Sequence, residues 1–198
     1  MLKLGITGGI GSGKTTACLL FELWGIPVYY ADVRAKELMT EDPVLRKGLI
    51  RTFGQQVFNP NNSLNRPYLS SLVFGNENLL QQLNALVHPA VERDYSRWHA
   101  KQKNTLYTLK EAALLFESGS YRQLDAVITV TAPREVRIKR TIARDNTTRE
   151  AVLNRMQHQL SEEERIHRAQ FILRNNEEQS IIEQVERLHQ KLCNKKTD

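Results

Sequence analysis

Gly8-Gly9-Ile10-Gly11-Ser12-Gly13-Lys14-Thr15 matches the pattern GxxxxGK[ST] in full, and its setting decides the fold. Leu2, Leu4 and Ile6 alternate ahead of it as in a short strand. A helical run follows from about Lys14 to Trp24, and Gly25 stands where that helix should stop. Ile26-Pro27-Val28-Tyr29-Tyr30 then reads as a second strand. Strand, loop, helix, strand is a βαβ unit, which requires a parallel sheet.

Each part of the loop has a chemical reason. Glycines let the backbone curl so that several N–H groups point inward at phosphate oxygens. The helix that opens near Lys14 adds the positive end of its dipole. Lys14 is a point charge for the β- and γ-phosphates, and the Thr15 hydroxyl is placed to ligate Mg²⁺. The candidate ATP-binding residues are therefore Gly9, Gly11, Ser12, Gly13, Lys14, Thr15 and Thr16. A glycine-rich turn before a helix would be the bland alternative. Position near the amino terminus, between a strand and a helix, favours the phosphate loop.

Working outward, the middle of the chain reads as helical. Asp42-Pro43 has the form of an N-cap followed by proline at the first helical position. Arg66 to Phe74 reads as another helix, and Asn76 as the cap of a third, which Pro89 should kink or break. Strand patterns return at Thr105–Leu109 and Ala126–Val130, with Phe171-Ile172-Leu173 as a last strand. Pro133 starts a helix running to about Arg144. Thr147-x-x-Glu150, Ser161-x-x-Glu164 and Ser180-x-x-Glu183 fit capping boxes. The tail from Asn194 to Asp198 should fray. The expected architecture is an α/β P-loop parallel sheet flanked by helices, with a helical acceptor-binding subdomain and a lid. The core spans about 1–35, 104–140 and 168–198, the helical segment about 36–103, and the lid about 141–167.

Composition narrows the class. The 198 residues, 40% hydrophobic and 25% charged, suit one domain that buries a core without staples. Cys18 and Cys193 lie far apart and form no metal-binding motif. No signal-peptide pattern opens the sequence, and no apolar run reaches membrane-spanning length. A cytoplasmic, monomeric protein that binds neither membrane nor nucleic acid is expected. The formal net charge of +6 would suit any polyanion. A nucleic-acid surface would interleave aromatic with basic residues, yet only 7% of the chain is aromatic and no such stripe is found.

A phosphate loop alone does not separate kinase, GTPase, motor and switch. No Asn-Lys-x-Asp element is found to read guanine. The third strand carries no acid within Leu106–Leu109; Lys110-Glu111 follow at its end, so a Walker-B carboxylate is not obvious. Asp32 instead stands at the end of the second strand, where parallel sheets gather their ligands. It could accept the proton of an attacking hydroxyl or help hold the metal, and it could also cap a helix starting near Val33. Arg137, Arg140 and Arg144 share a helix face by their spacing and could stabilise a transferring phosphoryl group. Arg144 to Thr148 is a candidate lid that excludes water.

Taken in order, these residues resemble the dephospho-coenzyme A kinase family, from about Leu4 to Asn176. The resemblance is carried by Gly5 to Thr15, the Asp32 context, Arg66-Pro67-Tyr68-Leu69 with Val73-Phe74, and Leu83-Asn84 with His88-Pro89. Leu114-Leu115-Phe116-Glu117, Arg140-Thr141 with Arg144-Asp145, and Asn175-Asn176 continue it. The sequence departs from the family's usual residues at Asn65, Ala113 and Glu177. The resemblance implies transfer of the ATP γ-phosphoryl to the ribose 3′-hydroxyl of dephospho-coenzyme A, with Mg²⁺. It implies Asp32 as general base, Lys14 as phosphate anchor, and Arg140 with Arg144 at the nucleotide phosphates. Asn175 would lie near adenine, and Arg66, His88 and Glu117 would serve the acceptor. A kinase of a nucleoside monophosphate or shikimate, or a nucleotide sensor with little turnover, are the rival readings.

Overall fold

The computed structural model describes residues 1–176 and 178–194, so Glu177 and the end of the tail, residues 195–198, lie outside it. The described residues form two compact units. One comprises Met1–Tyr30 and the chain from Gln102 onward. The other is Ala31–Lys101.

The first unit is a five-stranded, all-parallel sheet of strands β1 (Leu2–Gly8), β2 (Val28–Tyr30), β3 (Tyr107–Glu111), β4 (Ala126–Thr131) and β5 (Phe171–Arg174), in the order β2-β3-β1-β4-β5. β1 is central. Its residues from Leu4 to Gly8 are all buried, as in a parallel strand covered on both faces. Helices α1 (Lys14–Leu23) and α9 (Ile181–Asn194) cover one face. Phe21 packs edge-on against Tyr107, and α9 presents Val185, Leu188 and Leu192 at helical spacing. Gly5 is where the sheet admits its other cover: a methyl group there would lie 2.6 Å from Leu115 Cδ2 and 2.7 Å from Leu124 Cδ1.

β3 sits two residues later than its apolar pattern suggests. Thr105 Oγ1 donates to the Tyr107 carbonyl at 2.8 Å, and the Leu106 carbonyl accepts from Leu2 N at 3.0 Å at the entry to the strand. Pairing runs from Leu2 opposite Tyr107 to Ile6 opposite Glu111, which makes Glu111 the last residue of the strand.

Helices α6 (Arg134–Asp145), α7 (Arg149–Gln157) and α8 (Glu162–Arg168) complete this unit. α6 ends at Asn146 in the left-handed conformation, φ 47°. That reversal moves the cap of α7 to Thr148, whose side chain accepts from Ala151 N, rather than Thr147. Ser161 caps α8 and Ser180 Oγ accepts from Glu183 N at the start of α9, both at the expected positions.

The second unit packs α2 (Ala31–Glu41), α3 (Pro43–Phe53), α4 (Arg66–Val73) and α5 (Glu77–Lys101). Asp42 caps α3, Asn65 caps α4 and Asn76 Oδ1 accepts from Leu79 N near the start of α5. α5 continues through Pro89 for 25 residues, so the proline does not end it. Proline deprives the Ala85 carbonyl of its helical donor, at about 3 kcal/mol. Val87, Ala90, Val91 and Tyr95, buried on both sides of the interruption, hold the two halves to α2, α3 and α4. Gly48 allows the close approach of α3, since a methyl group there would stand 2.9 Å from Leu86 Cδ2.

Candidate active site

β1 delivers the chain at Gly8, and α1 takes it up at Lys14 with Gly13 as N-cap. Gly13 has no side chain to cap the helix, and the first turn holds no acid, so the first N–H groups of α1 remain available to an anion. Within the loop Ser12 N donates to Gly9 O at 3.0 Å. The Ser12 hydroxyl is buried without a hydrogen-bond partner. A buried polar group left so costs about 1–3 kcal/mol, which a phosphate oxygen would relieve. An orphaned hydroxyl, an uncapped helix start and Lys14 fit a nucleotide's phosphates.

The glycines also answer to protein neighbours. Gly11 and Gly13 take φ of 76° and 93°, which side-chain-bearing residues rarely adopt. A methyl group at Gly11 would lie 2.3 Å from the Arg137 carbonyl, and one at Gly13 would lie 2.2 Å from Asn175 Nδ2. The loop is thus seated on α6 and on the segment after β5. Asn175 Nδ2 donates to Ser12 O at 2.9 Å, and Arg140 Nη1 donates to Asn175 O at 3.2 Å. Arg140, Asn175 and the phosphate loop are brought together as one hydrogen-bonded chain.

Lys14 Nζ is 3.8 Å from Glu111 Oε1. Glu111 is buried at the end of β3, between Ile6 of β1 and Tyr30 of β2. It is an acid on a strand that the sequence pattern leaves without one. Its signal was Lys110-Glu111 directly after an apolar run. Among the described residues no cluster of three His, Cys, Asp or Glu could hold a metal. One carboxylate and the exposed Thr15 hydroxyl suit Mg²⁺, which keeps several waters and binds largely through substrate phosphates. Burial pushes the Cys18 thiol far above its ordinary pKa, with Glu111 adding to the effect, so it is a core residue and not a nucleophile.

Arg144 is turned elsewhere. Its Nε and Nη2 donate to its neighbour Asp145 at 2.7 and 3.1 Å, and Asp145 accepts also from Arg155 Nη1 at 2.8 Å. These guanidinium groups, Arg144 first, hold the Asp145 carboxyl below its usual pKa. Arg149 grips Glu135 through two hydrogen bonds of 2.7 and 2.8 Å, which fastens α7 to α6. Glu117 is exposed and accepts from Leu160 N at 2.9 Å. One residue earlier, Gln159 Oε1 accepts from Ile10 N at 2.9 Å. The α7–α8 connection is therefore bonded to the phosphate loop itself, a tie that no motif announced.

Asp32, Arg66 and His88 belong to the second unit. Asp32 stands in the first turn of α2, not at its cap, because the helix starts at Ala31 directly out of β2. Its side chain is exposed, as are those of Arg66, first in α4, and His88, directly before Pro89 in α5. Asn65 spends its amide on its own unit: Oδ1 accepts from Tyr68 N and Nδ2 donates to Gln56 O. The Ala113 carbonyl accepts from Thr7 Oγ1 at 3.4 Å.

The dephospho-CoA kinase family model matches residues 2–180. The dephospho-CoA kinase of Salinibacter ruber is 42% identical over 178 residues, 89% of each chain. That of Bacteroides fragilis strain YCH46 is 36% identical over 184 residues, 93% of this chain and 89% of its own. The crystal structure of TT1252 from Thermus thermophilus superposes with a TM-score of 0.84 at 34% identity, covering 100% of this chain and 98% of that one. With a phosphate loop, a parallel sheet and a matching sequence over nearly its whole length, the chain belongs to the dephospho-CoA kinase family.

Proposed function

We propose a residue-by-residue account of the reaction that family membership assigns, the ATP-dependent phosphorylation of dephospho-CoA in coenzyme A biosynthesis. The observation that carries it is the orphaned Ser12 hydroxyl inside a loop whose following helix is left uncapped at Lys14. The backbone N–H groups of residues 9–16 hold the phosphates, and Lys14 anchors the β- and γ-groups. Mg²⁺, when bound, neutralises phosphate charge; the Thr15 hydroxyl and Glu111 are its protein partners, with Asp32 as a further candidate. Asp32 accepts the proton of the ribose 3′-hydroxyl as that oxygen attacks the γ-phosphorus. Arg140, with Arg144 once released from Asp145, meets the charge on the transferring group, and Asn175 lies beside the adenine. Arg66, His88 and Glu117 bind the acceptor.

Residues 141–167 act as a lid that keeps water from competing with the acceptor. The protein works as a cytoplasmic monomer. Among the described residues no helix is long and apolar enough to cross a membrane. An acceptor panel with radiolabelled ATP tests the reading. Label should pass to dephospho-CoA, at its 3′-position. Transfer to a nucleoside monophosphate or shikimate instead would overturn it.

A further inference from the structure

Arg137 of α6 and Arg165 of α8 are buried arginines, 8% and 3% exposed, and they meet at the phosphate loop. A methyl group on Gly9 would lie 2.0 Å from Arg137 Nη1 and 2.9 Å from Arg165 Nη2. Two like charges side by side and out of water are expensive unless something neutralises them. Burial, and then the charge of Arg137, hold the Arg165 pKa below its ordinary value. The partners within the protein are incomplete. Arg165 Nη1 donates to the Leu160 carbonyl. Arg137 Nη2 is 3.4 Å from Glu162 Oε2, and Arg137 Nε has no hydrogen-bond partner. Both side chains line a cavity of about 290 Å³ whose wall includes Arg134, Gln159 and Ser161 and only one carboxylate, Glu162. Two further acids act on Arg165 from outside that wall: Glu117, which uses one carboxylate oxygen on Leu160 N, and the exposed Glu163.

We infer that Arg137 and Arg165 form an anion subsite beside Gly9, open to the cavity between α6, α7 and α8, that takes a phosphoryl oxyanion. Guanidinium forks suit such a group because they present paired donors to its oxygens. The subsite is separate from the nest of loop amides, and it rests on the phosphate-loop reading above. Two sources supply the same chemistry: the terminal phosphate of the bound nucleotide, or free inorganic phosphate. Gln159 is already bonded to Ile10, so an anion held here would be felt directly by the loop.

Calorimetric titrations of wild type, Arg165→Met and Arg137→Gln with ADP, with a non-hydrolysable ATP analogue, and with inorganic phosphate on the ADP-loaded protein test this. If the nucleotide supplies the group, either substitution weakens the analogue about tenfold or more relative to ADP, with ADP affinity kept. If free phosphate does, the ADP-loaded wild type binds phosphate, both variants lose that binding, and the analogue-to-ADP ratio stays. Arg165→Lys should recover part of either loss. A structural role alone would lower the melting temperature and leave the analogue-to-ADP ratio and phosphate binding as in wild type, and that result would overturn the subsite. Failure of the phosphate-loop reading is distinct: wild type would then not bind ADP at all.

Discussion

Lys14 and Glu111 form an ion pair of 3.8 Å between the first residue of α1 and the last residue of β3, with side chains only 12% and 10% exposed. In so dry a setting neither charge is easily left alone, and removing one partner strands the other. On the proposed reading, bound phosphates would compete with Glu111 for the ammonium, and the Glu111 carboxylate would then be a partner for the water shell of Mg²⁺. Glu111→Gln should lower kcat/KM by about 10–100-fold, the range for groups that orient a metal from its outer shell. It should also raise the Mg²⁺ concentration needed for half-maximal turnover. An unchanged Mg²⁺ titration would take Glu111 out of the metal site. Lys14→Met should cost about 10²–10³ in kcat, the scale of a lost transition-state donor.

Gly13 is constrained twice. Its φ of 93° disfavours any side chain, and Asn175 Nδ2 fills the space a methyl group would need. Gly13→Ala should cost about 1–2 kcal/mol from backbone strain alone, visible as a lower urea midpoint. It should also break the Asn175–Ser12 bond and abolish measurable ADP binding. Adding Asn175→Ala removes the clash but not the strain. The double variant should therefore regain part of the stability and none of the ADP affinity. Full recovery would mean that the backbone conformation of Gly13 is unimportant.

Asp32 separates binding from chemistry. Its side chain is exposed in the first turn of α2 and makes no part of the phosphate loop. Asp32→Asn should leave ATP affinity within about twofold by calorimetry, while kcat falls by about 10²–10⁴, the contribution of a positioned base. Near-normal turnover in Asp32→Asn would assign the proton to another acceptor.

Local chemistry was legible and tertiary chemistry was not. The phosphate loop, the Asp42-Pro43 and Ser161 caps and the last strand are set by residues within a few positions of one another, so sequence pattern found them. Glu111 was missed because the register of β3, from Leu2 opposite Tyr107 to Ile6 opposite Glu111, depends on its partner across the sheet. Pro89 does not break α5, because the burial that holds the helix together comes from α2, α3 and α4. Thr148 replaced Thr147 because Asn146 turned left-handed at the end of α6. Gln159 and Arg165 touch a loop some 150 residues away, a distance at which spacing carries no signal.

Asp42 offers a test of the second unit by itself. Its Oδ1 accepts from Val44 N at 2.8 Å and Leu45 N at 2.9 Å, at the start of α3. These backbone hydrogen bonds, that from Leu45 foremost, hold the carboxyl below its usual pKa, with Arg93 a smaller contributor. A carboxylate whose folded pKa is depressed contributes stability above the unfolded value and loses it as pH falls through the folded one. Asp42→Ala should therefore cost about 1 kcal/mol near pH 7. The gap between wild type and variant should narrow once pH drops below about 4. Asp42→Asn keeps the cap without a titrating group, so its difference from Asp42→Ala should stay level over the same range. Urea unfolding of the three proteins between about pH 7 and pH 3 reads both slopes. A wild-type advantage over Asp42→Ala that does not change with pH would show that the cap acts through its shape and not its charge.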